Sequence, residues 1–187
     1  KNNVIINIPG IKRSSIFGSK EIYDIKIYNN LAYLSTAFGI VILDLDAEEI
    51  IDDYQNLGSG GVPLAVNSLA ILKDTIFIGT TEGIKYAPSQ SSNVNLKNYA
   101  SWQSYNQFDS ASLMEVYDDA LYFVSDSILH RYKNNKFIYV ENAQKKGYQS
   151  MVVSNEHLII CRYEGIALME KNGDISEYGE VAMQYAI

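Results

Sequence analysis

The sequence contains few cysteines, prolines and tryptophans, and it lacks long apolar runs. Its 187 residues include one cysteine, three prolines and one tryptophan. The single thiol, Cys161, excludes an internal disulfide, and its apolar neighbours predict a small buried core residue. No apolar run reaches the roughly 18 residues of a membrane-spanning helix. The chain begins at Lys1 rather than at Met, which we interpret as a processed product or an excised fragment.

Basic residues are also scarce. Fifteen lysines and arginines stand against 22 acidic residues, giving a net charge of −7. This balance argues against nucleic acid, since a basic face supplies most of the affinity for phosphate backbones. An anionic partner would therefore need a local patch. Two basic clusters fall in predicted turns and rims, where solvated side chains are the ordinary interpretation: Lys12, Arg13 and Lys20, and Arg131, Lys133, Lys136, Lys145 and Lys146.

Hydrophobic residues, by contrast, make up 47% of the chain, and 15 residues are tyrosine. That hydrophobic content is enough to fill the core of one domain. Tyrosine suits half-buried sheet surfaces because its ring packs while its hydroxyl stays in water. We favour this packing role, although the same composition would suit stacking against sugars.

A strand-turn-strand pattern recurs along the chain. It is clearest in residues 30–43 and returns at 74–86 and 156–169, with the turn glycines Gly39, Gly83 and Gly165 separated by 44 and 82 residues, the second being two units of 41. Residues 119–129 supply the missing copy, with Asp126 and Ser127 in a tighter turn. A β-repeat of roughly 40 to 50 residues is typical of propeller blades.

The repeat predicts an all-β propeller built from four-stranded antiparallel blades. We assign blades to residues 22–56, 66–105, 112–141 and 148–178 of a single partial propeller. Residues 1–20 are predicted to hold the outer strand of a preceding blade, at 4–8, and a linker; residues 184–187 are predicted to start a further blade. The chain would then be an arc of a larger propeller, and its exposed blade faces could drive self-association.

No constellation of residues predicts catalysis, a metal ion or a cofactor. His130, His157 and Cys161 are too few and too spread for a zinc site, since His157 and Cys161 would stand about 13 Å apart along a strand. The carboxylate pairs at 44/46, 52/53 and 118/119 could in principle perform acid-base work on glycans, but two of them are adjacent residues. Residues 57–63 are glycine-rich without the lysine of a phosphate-binding loop, and are predicted to connect blades.

A polar insertion at residues 88–98 is the kind of long surface loop that often carries binding residues. The sequence by itself does not assign ligand-binding residues.

Residues 8–102 resemble the first propeller of the PorZ family, surface components of the type IX secretion system of Bacteroidetes. The resemblance lies in Gly18-Ser-Lys20, the run from Ala32 to Leu45, the strand from Glu49 to Tyr54, Gly79-Thr-Thr-Glu-Gly-Ile84, and Asn95-Leu96 ahead of Ser101-Trp102. The chain also resembles propeller repeats of hybrid two-component regulators. In those repeats a tryptophan usually stands where this sequence has Phe77, which favours the first family.

The first resemblance implies a non-enzymatic protein held at the outer cell surface. It would act in an attachment complex that binds anionic lipopolysaccharide and presents it to a sortase. PorZ-family proteins are longer, with a second propeller and a carboxyl-terminal secretion-type domain. The alternative resemblance implies a periplasmic propeller that senses a glycan ligand for a signalling receptor. Neither resemblance assigns binding residues by motif.

Overall fold

The computed structural model shows an all-β protein with four antiparallel sheets of four strands each. It describes residues 5–15, 18–89, 94–142, 147–154, 156–163 and 165–178. In every sheet the strands are hydrogen-bonded to one another in chain order, which is the arrangement of a propeller blade. The predicted fold class is therefore confirmed.

The chain divides into two compact units, Lys1–Ala111 and Ser112–Ile187, each with two blades. The first unit opens with a one-turn helix, α1, at Gly10–Arg13. The strands of its first blade are β1 (Ile22–Tyr28), β2 (Leu31–Thr36), β3 (Gly39–Asp44) and β4 (Glu49–Gln55). Those of its second blade are β5 (Val66–Leu72), β6 (Thr75–Thr80), β7 (Gly83–Pro88) and β8 (Gln103–Tyr105).

The second unit contains the third and fourth blades. The strands of the third blade are β9 (Ser112–Tyr117), β10 (Ala120–Ser125), β11 (Ile128–Lys133) and β12 (Lys136–Asn142). Those of the fourth blade are β13 (Tyr148–Ser154), β14 (His157–Arg162), β15 (Gly165–Met169) and β16 (Ile175–Tyr178).

The amino-terminal region differs from its prediction. Residues 5–8 belong to no strand, and the chain forms α1 immediately after them. The apolar run at 4–8 is too short to specify a strand without a partner strand beside it. A second difference lies in the second blade, where a 3-10 helix at Tyr99–Ser101 precedes a last strand of only three residues. The predicted strand start at 184–187 lies outside the described residues.

The recurring Thr-x-x-Gly sequence is explained by the turn between the second and third strands of a blade. The hydroxyl of Thr80 donates to the carbonyl of Gly83 at 2.9 Å and accepts from the amide of Glu82 at 3.0 Å. Thr36 bonds the carbonyl of Gly39 in the same way, at 2.9 Å. In both blades the buried hydroxyl satisfies the polar groups of the turn, and a glycine follows because φ is positive there.

The later blades use other residues at this turn. In the third blade Asp126 and Ser127 both take positive φ, as expected for a two-residue hairpin loop. In the fourth blade Arg162 occupies the position of the threonine, with a side chain only 3% exposed. It pairs with Glu177 at 3.0 Å and lies over the ring of Tyr148 at 5.8 Å.

Each unit has its own core between its two blades. In the first unit the aliphatic side chains of β3 meet those of β5, β6 and the connector between blades, in a cluster of Ile40, Ile42, Leu57, Leu64, Val66, Leu69, Ile71, Ile76, Ile78, Ala87 and Trp102. In the second unit the core cluster consists of Tyr117, Ala120, Tyr122, Val124, Leu129, Met151, Leu158, Ile160, Ala167 and Met169.

Candidate functional site

The two histidines and the cysteine lie in separate packing environments. His130 stacks on Phe123 with ring centroids 5.1 Å apart, and burial lowers its pKa, although the nearby Asp126 carboxylate opposes that shift. His157 and Cys161 are half-buried on β14. Cys161 was predicted to be a buried core residue; it lies instead on the face of β14 opposite Leu158 and Ile160. Within the described residues no group of three or more potential metal ligands comes together.

The three carboxylate pairs are engaged in local structure. Asp44 accepts from the amides of residues 46 and 47 and so shapes the turn after β3. Asp118 takes positive φ in a turn and pairs with Lys133 at 3.0 Å. Asp52 and Asp53 are successive residues of β4, so their side chains point to opposite faces of the sheet.

Some side chains of the two basic clusters also form hydrogen bonds or ion pairs within the protein. The ammonium of Lys20 donates to the carbonyls of Lys12 and Ser14, at 3.2 and 2.7 Å, and so closes the carboxyl end of α1. Arg13 is exposed beside it. In the second cluster Lys133 is paired with Asp118, whereas Lys136 is exposed. Lys145 and Lys146 lie outside the described residues.

The glycine-rich connector is held by an ion pair from the second blade. The carboxylate of Glu82 accepts from the amide and the hydroxyl of Ser59, at 3.1 and 2.9 Å. Lys85, whose side chain is 7% exposed, binds the same carboxylate at 2.9 Å. Hydrogen bonding to Lys85 is the main cause that lowers the pKa of Glu82. The connector therefore has a structural anchor, as its predicted role requires.

A different group of residues forms the best candidate for a binding site. Tyr33 on β2 pairs across the sheet with Ile42, which pairs with Asp52 on β4, so these side chains share one face. Tyr54 is two residues after Asp52 and points to that same face, opposite Ile40. Both tyrosines are half-buried at the margin of the core of the first unit.

The insertion of the second blade completes this site. Leu96 packs on the core, and the indole of Trp102 donates to its carbonyl at 2.9 Å, which fixes the segment. The next residue, Lys97, reaches back to Asp52 with an ammonium-to-carboxylate distance of 2.7 Å. We call Tyr33, Asp52, Tyr54 and Lys97 the tyrosine cluster.

The electrostatics of the tyrosine cluster keep both phenols protonated. Burial, followed by the Asp52 carboxylate and by Tyr33, raises the pKa of Tyr54 to about 12. Burial and Tyr28 also raise the pKa of Tyr33. The hydrogen bond that Lys97 donates to the Asp52 carboxylate raises the pKa of Lys97, so the lysine side chain remains charged.

The tyrosine cluster therefore offers hydrogen-bond donors and an acceptor beside apolar surface. Among the described residues neither phenol hydroxyl of Tyr33 or Tyr54 has a hydrogen-bond partner. Sequence reasoning singled out the insertion and the 52/53 pair but did not connect them, because the connection is a tertiary contact. The sequence does indicate that Asp52 and Tyr54 share one face of the sheet, because they are two residues apart in a predicted strand.

Four-stranded antiparallel blades packed around apolar cores define a β-propeller. A family model described as the N-terminal β-propeller domain of PorZ, of the type IX secretion system, matches residues 1–103. This is more than half of the 187 residues, and the chain belongs to that family. No curated protein matches the sequence.

Solved structures support the fold. PorZ of Porphyromonas gingivalis, described as an essential bacterial surface component of the type-IX secretion system, matches with a TM-score of 0.72 and 18% identity. The match covers 93% of this chain and 23% of that one, so the chain spans about a quarter of the solved PorZ. The extracellular domain of the putative one-component system BT4673 of B. thetaiotaomicron matches with a TM-score of 0.59 and 11% identity, over 88% of this chain and 23% of that one.

The WD40 repeats of RRP9 also match, with a TM-score of 0.62 and 12% identity over 87% of this chain and 52% of that one. These likenesses show a shared fold. None of the helices in the described part of the chain has the length and apolar character needed to cross a membrane.

Proposed function

We propose that this chain is a non-catalytic part of a PorZ-type component of the type IX secretion system, which binds anionic lipopolysaccharide and presents it to a sortase. The family match over residues 1–103 carries the proposal. The fold likeness to PorZ over 93% of the chain supports it. The anionic part of the ligand would need basic side chains, and the exposed residues Lys12 and Arg13 in the last turn of α1 are available for that contact.

Binding to immobilised lipopolysaccharide tests this proposal. We expect the chain to bind an anionic lipopolysaccharide more tightly than an uncharged polysaccharide, and to bind less tightly as salt is added, because part of the affinity is electrostatic. A double substitution, Lys12→Ala with Arg13→Ala, should weaken that salt-dependent part. Equal binding to both ligands, or no binding to either, would count against the proposal.

The place of action can be tested separately. We place the protein at the outer face of the outer membrane, with a sortase complex as its partner. In intact cells, added protease should then cleave the protein, and cross-linking should recover it with the sortase. Protection from protease until the outer membrane is permeabilised would indicate the periplasm instead.

A further inference from the structure

We propose that the tyrosine cluster is a saccharide-binding site that takes an uncharged, hydroxyl-rich sugar unit. The inference rests on the proposed function, since the sugar chain of a lipopolysaccharide is the ligand to which we assign it. The site lies entirely within the first unit, between β2, β3 and β4 of the first blade and the segment around Leu96.

The shape of the site is set by the sheet. Tyr33 and Tyr54 stand on either side of β3, whose Ile40 and Ile42 are almost fully buried between them. On one side of the site, Leu96 is packed on this core. The half-buried aromatic rings suit the apolar C–H faces of a sugar ring, while phenol hydroxyls at the water boundary can bond its hydroxyl groups.

The polar groups are complementary to hydroxyl groups. A sugar hydroxyl both donates and accepts, as does the hydroxyl of a tyrosine. The hydroxyls of Tyr33 and Tyr54 have no partner among the described residues, so a ligand can bond them without breaking a protein hydrogen bond. The Asp52 carboxylate can accept further hydrogen bonds besides the one from Lys97, since a carboxylate has about four lone-pair sites.

The charges favour an uncharged ligand. The ammonium of Lys97 is neutralised by Asp52 at 2.7 Å, and Asp53 lies close enough to contribute to the charge around it. Both tyrosines stay neutral at physiological pH. An anion would have to displace Asp52 from Lys97 and approach a second carboxylate, whereas a neutral sugar meets no such opposition.

The single tryptophan provides a direct reporter. Trp102 is 7% exposed and bonded to the carbonyl of Leu96, at the edge of the site. The probes are a purified lipopolysaccharide and the lipid-free polysaccharide released from it by mild acid. We expect both to change the fluorescence of Trp102. Binding of the released polysaccharide should depend little on salt.

Matched substitutions identify the site. Tyr54→Phe and Tyr33→Phe each remove one hydroxyl and keep the ring, so each should weaken binding of the released polysaccharide about three- to tenfold, the usual worth of one hydrogen bond. Tyr139→Phe, at a 58% exposed position in the second unit, is the control and should change nothing. The three variants and the unaltered protein should unfold at similar temperatures.

The outcomes separate this inference from the proposed function. If lipopolysaccharide binds, but equally to all variants and with no change in Trp102 fluorescence, the site is wrong and the function stands. If the released polysaccharide binds through Tyr33 and Tyr54 while intact lipopolysaccharide does not bind, the site stands and the function is wrong. If neither probe binds the unaltered chain, both are wrong.

Discussion

Replacing the turn glycine Gly83 should destabilise the protein, both because φ is positive there and because a neighbouring backbone atom lies close. A comparison with Gly60 separates these two effects. Gly83 has φ of +86°, and a Cβ atom added there would lie 2.1 Å from the carbonyl oxygen of Phe108. Gly60 has a similar φ of +78°, but nothing lies within 4 Å of its would-be Cβ. Alanine at either position takes a backbone conformation that L-residues disfavour, and only Gly83→Ala also meets a backbone atom.

The two costs can be estimated separately. A left-handed conformation costs an L-residue about 1 to 2 kcal/mol. Forcing the strand and the Phe108 backbone apart adds roughly 1 to 3 kcal/mol, as for an overpacked core. Gly60→Ala should therefore lower the free energy of unfolding by about 1 to 2 kcal/mol, and Gly83→Ala by roughly 2 to 5 kcal/mol.

Urea unfolding followed by Trp102 fluorescence measures the free energy of unfolding of both variants, because Trp102 belongs to the same blade as Gly83. The difference between the two losses is the quantity of interest. If Gly83→Ala and Gly60→Ala lose the same free energy, the close approach at Phe108 has no energetic weight. The interpretation of the recurring glycine as a packing requirement would then be refuted.

Three further predictions concern the turns and the titrating groups. Thr80→Val should lower the free energy of unfolding by about 1 to 3 kcal/mol, because it leaves one buried and one partly buried backbone group of the turn without their partner. Thr81→Val, at an exposed neighbour, should change the free energy of unfolding little in the same urea titration. Because the pKa of Glu82 is lowered in the folded state, its ionised carboxylate stabilises the fold at pH values above the unfolded pKa. This stabilisation is lost as the pH falls through the folded pKa. Glu82→Gln should therefore flatten the acid side of a plot of the free energy of unfolding against pH. The pKa of His130 is likewise lowered from 6.5 by burial, so stability should fall as pH drops below 6.5, and a His130→Phe variant that still shows the whole fall would contradict this.

The fold could be predicted from the sequence because each blade repeats one local pattern. The hairpin around Gly39 and its later copies combine alternating apolar residues with turn residues, and each hairpin is present with its strands in register. Such patterns are visible in a single sequence because register depends on neighbouring residues along the strands.

The sequence could not predict the side-chain contacts between strands and loops that do not follow one another along the chain. Lys97 meets Asp52 because the neighbouring Leu96 packs on the core to which the first blade contributes. Arg162 is buried at a turn where the earlier blades use a hydroxyl, and its partner Glu177 is supplied by another strand. The expected self-association stays a prediction; it concerns side chains such as Ile25 and Ile27, which are 54% and 61% exposed on β1.

The most direct test of the account is to locate a bound lipopolysaccharide on the chain. Lipopolysaccharide carrying a photoreactive group on its sugar chain can be cross-linked to the protein, and the modified peptides can be identified by mass spectrometry. We predict adducts in peptides that contain Tyr33, Tyr54 or the segment around Lys97, and fewer of them in the Tyr54→Phe variant. Adducts confined to the second unit, Ser112–Ile187, or the absence of any adduct would contradict the account.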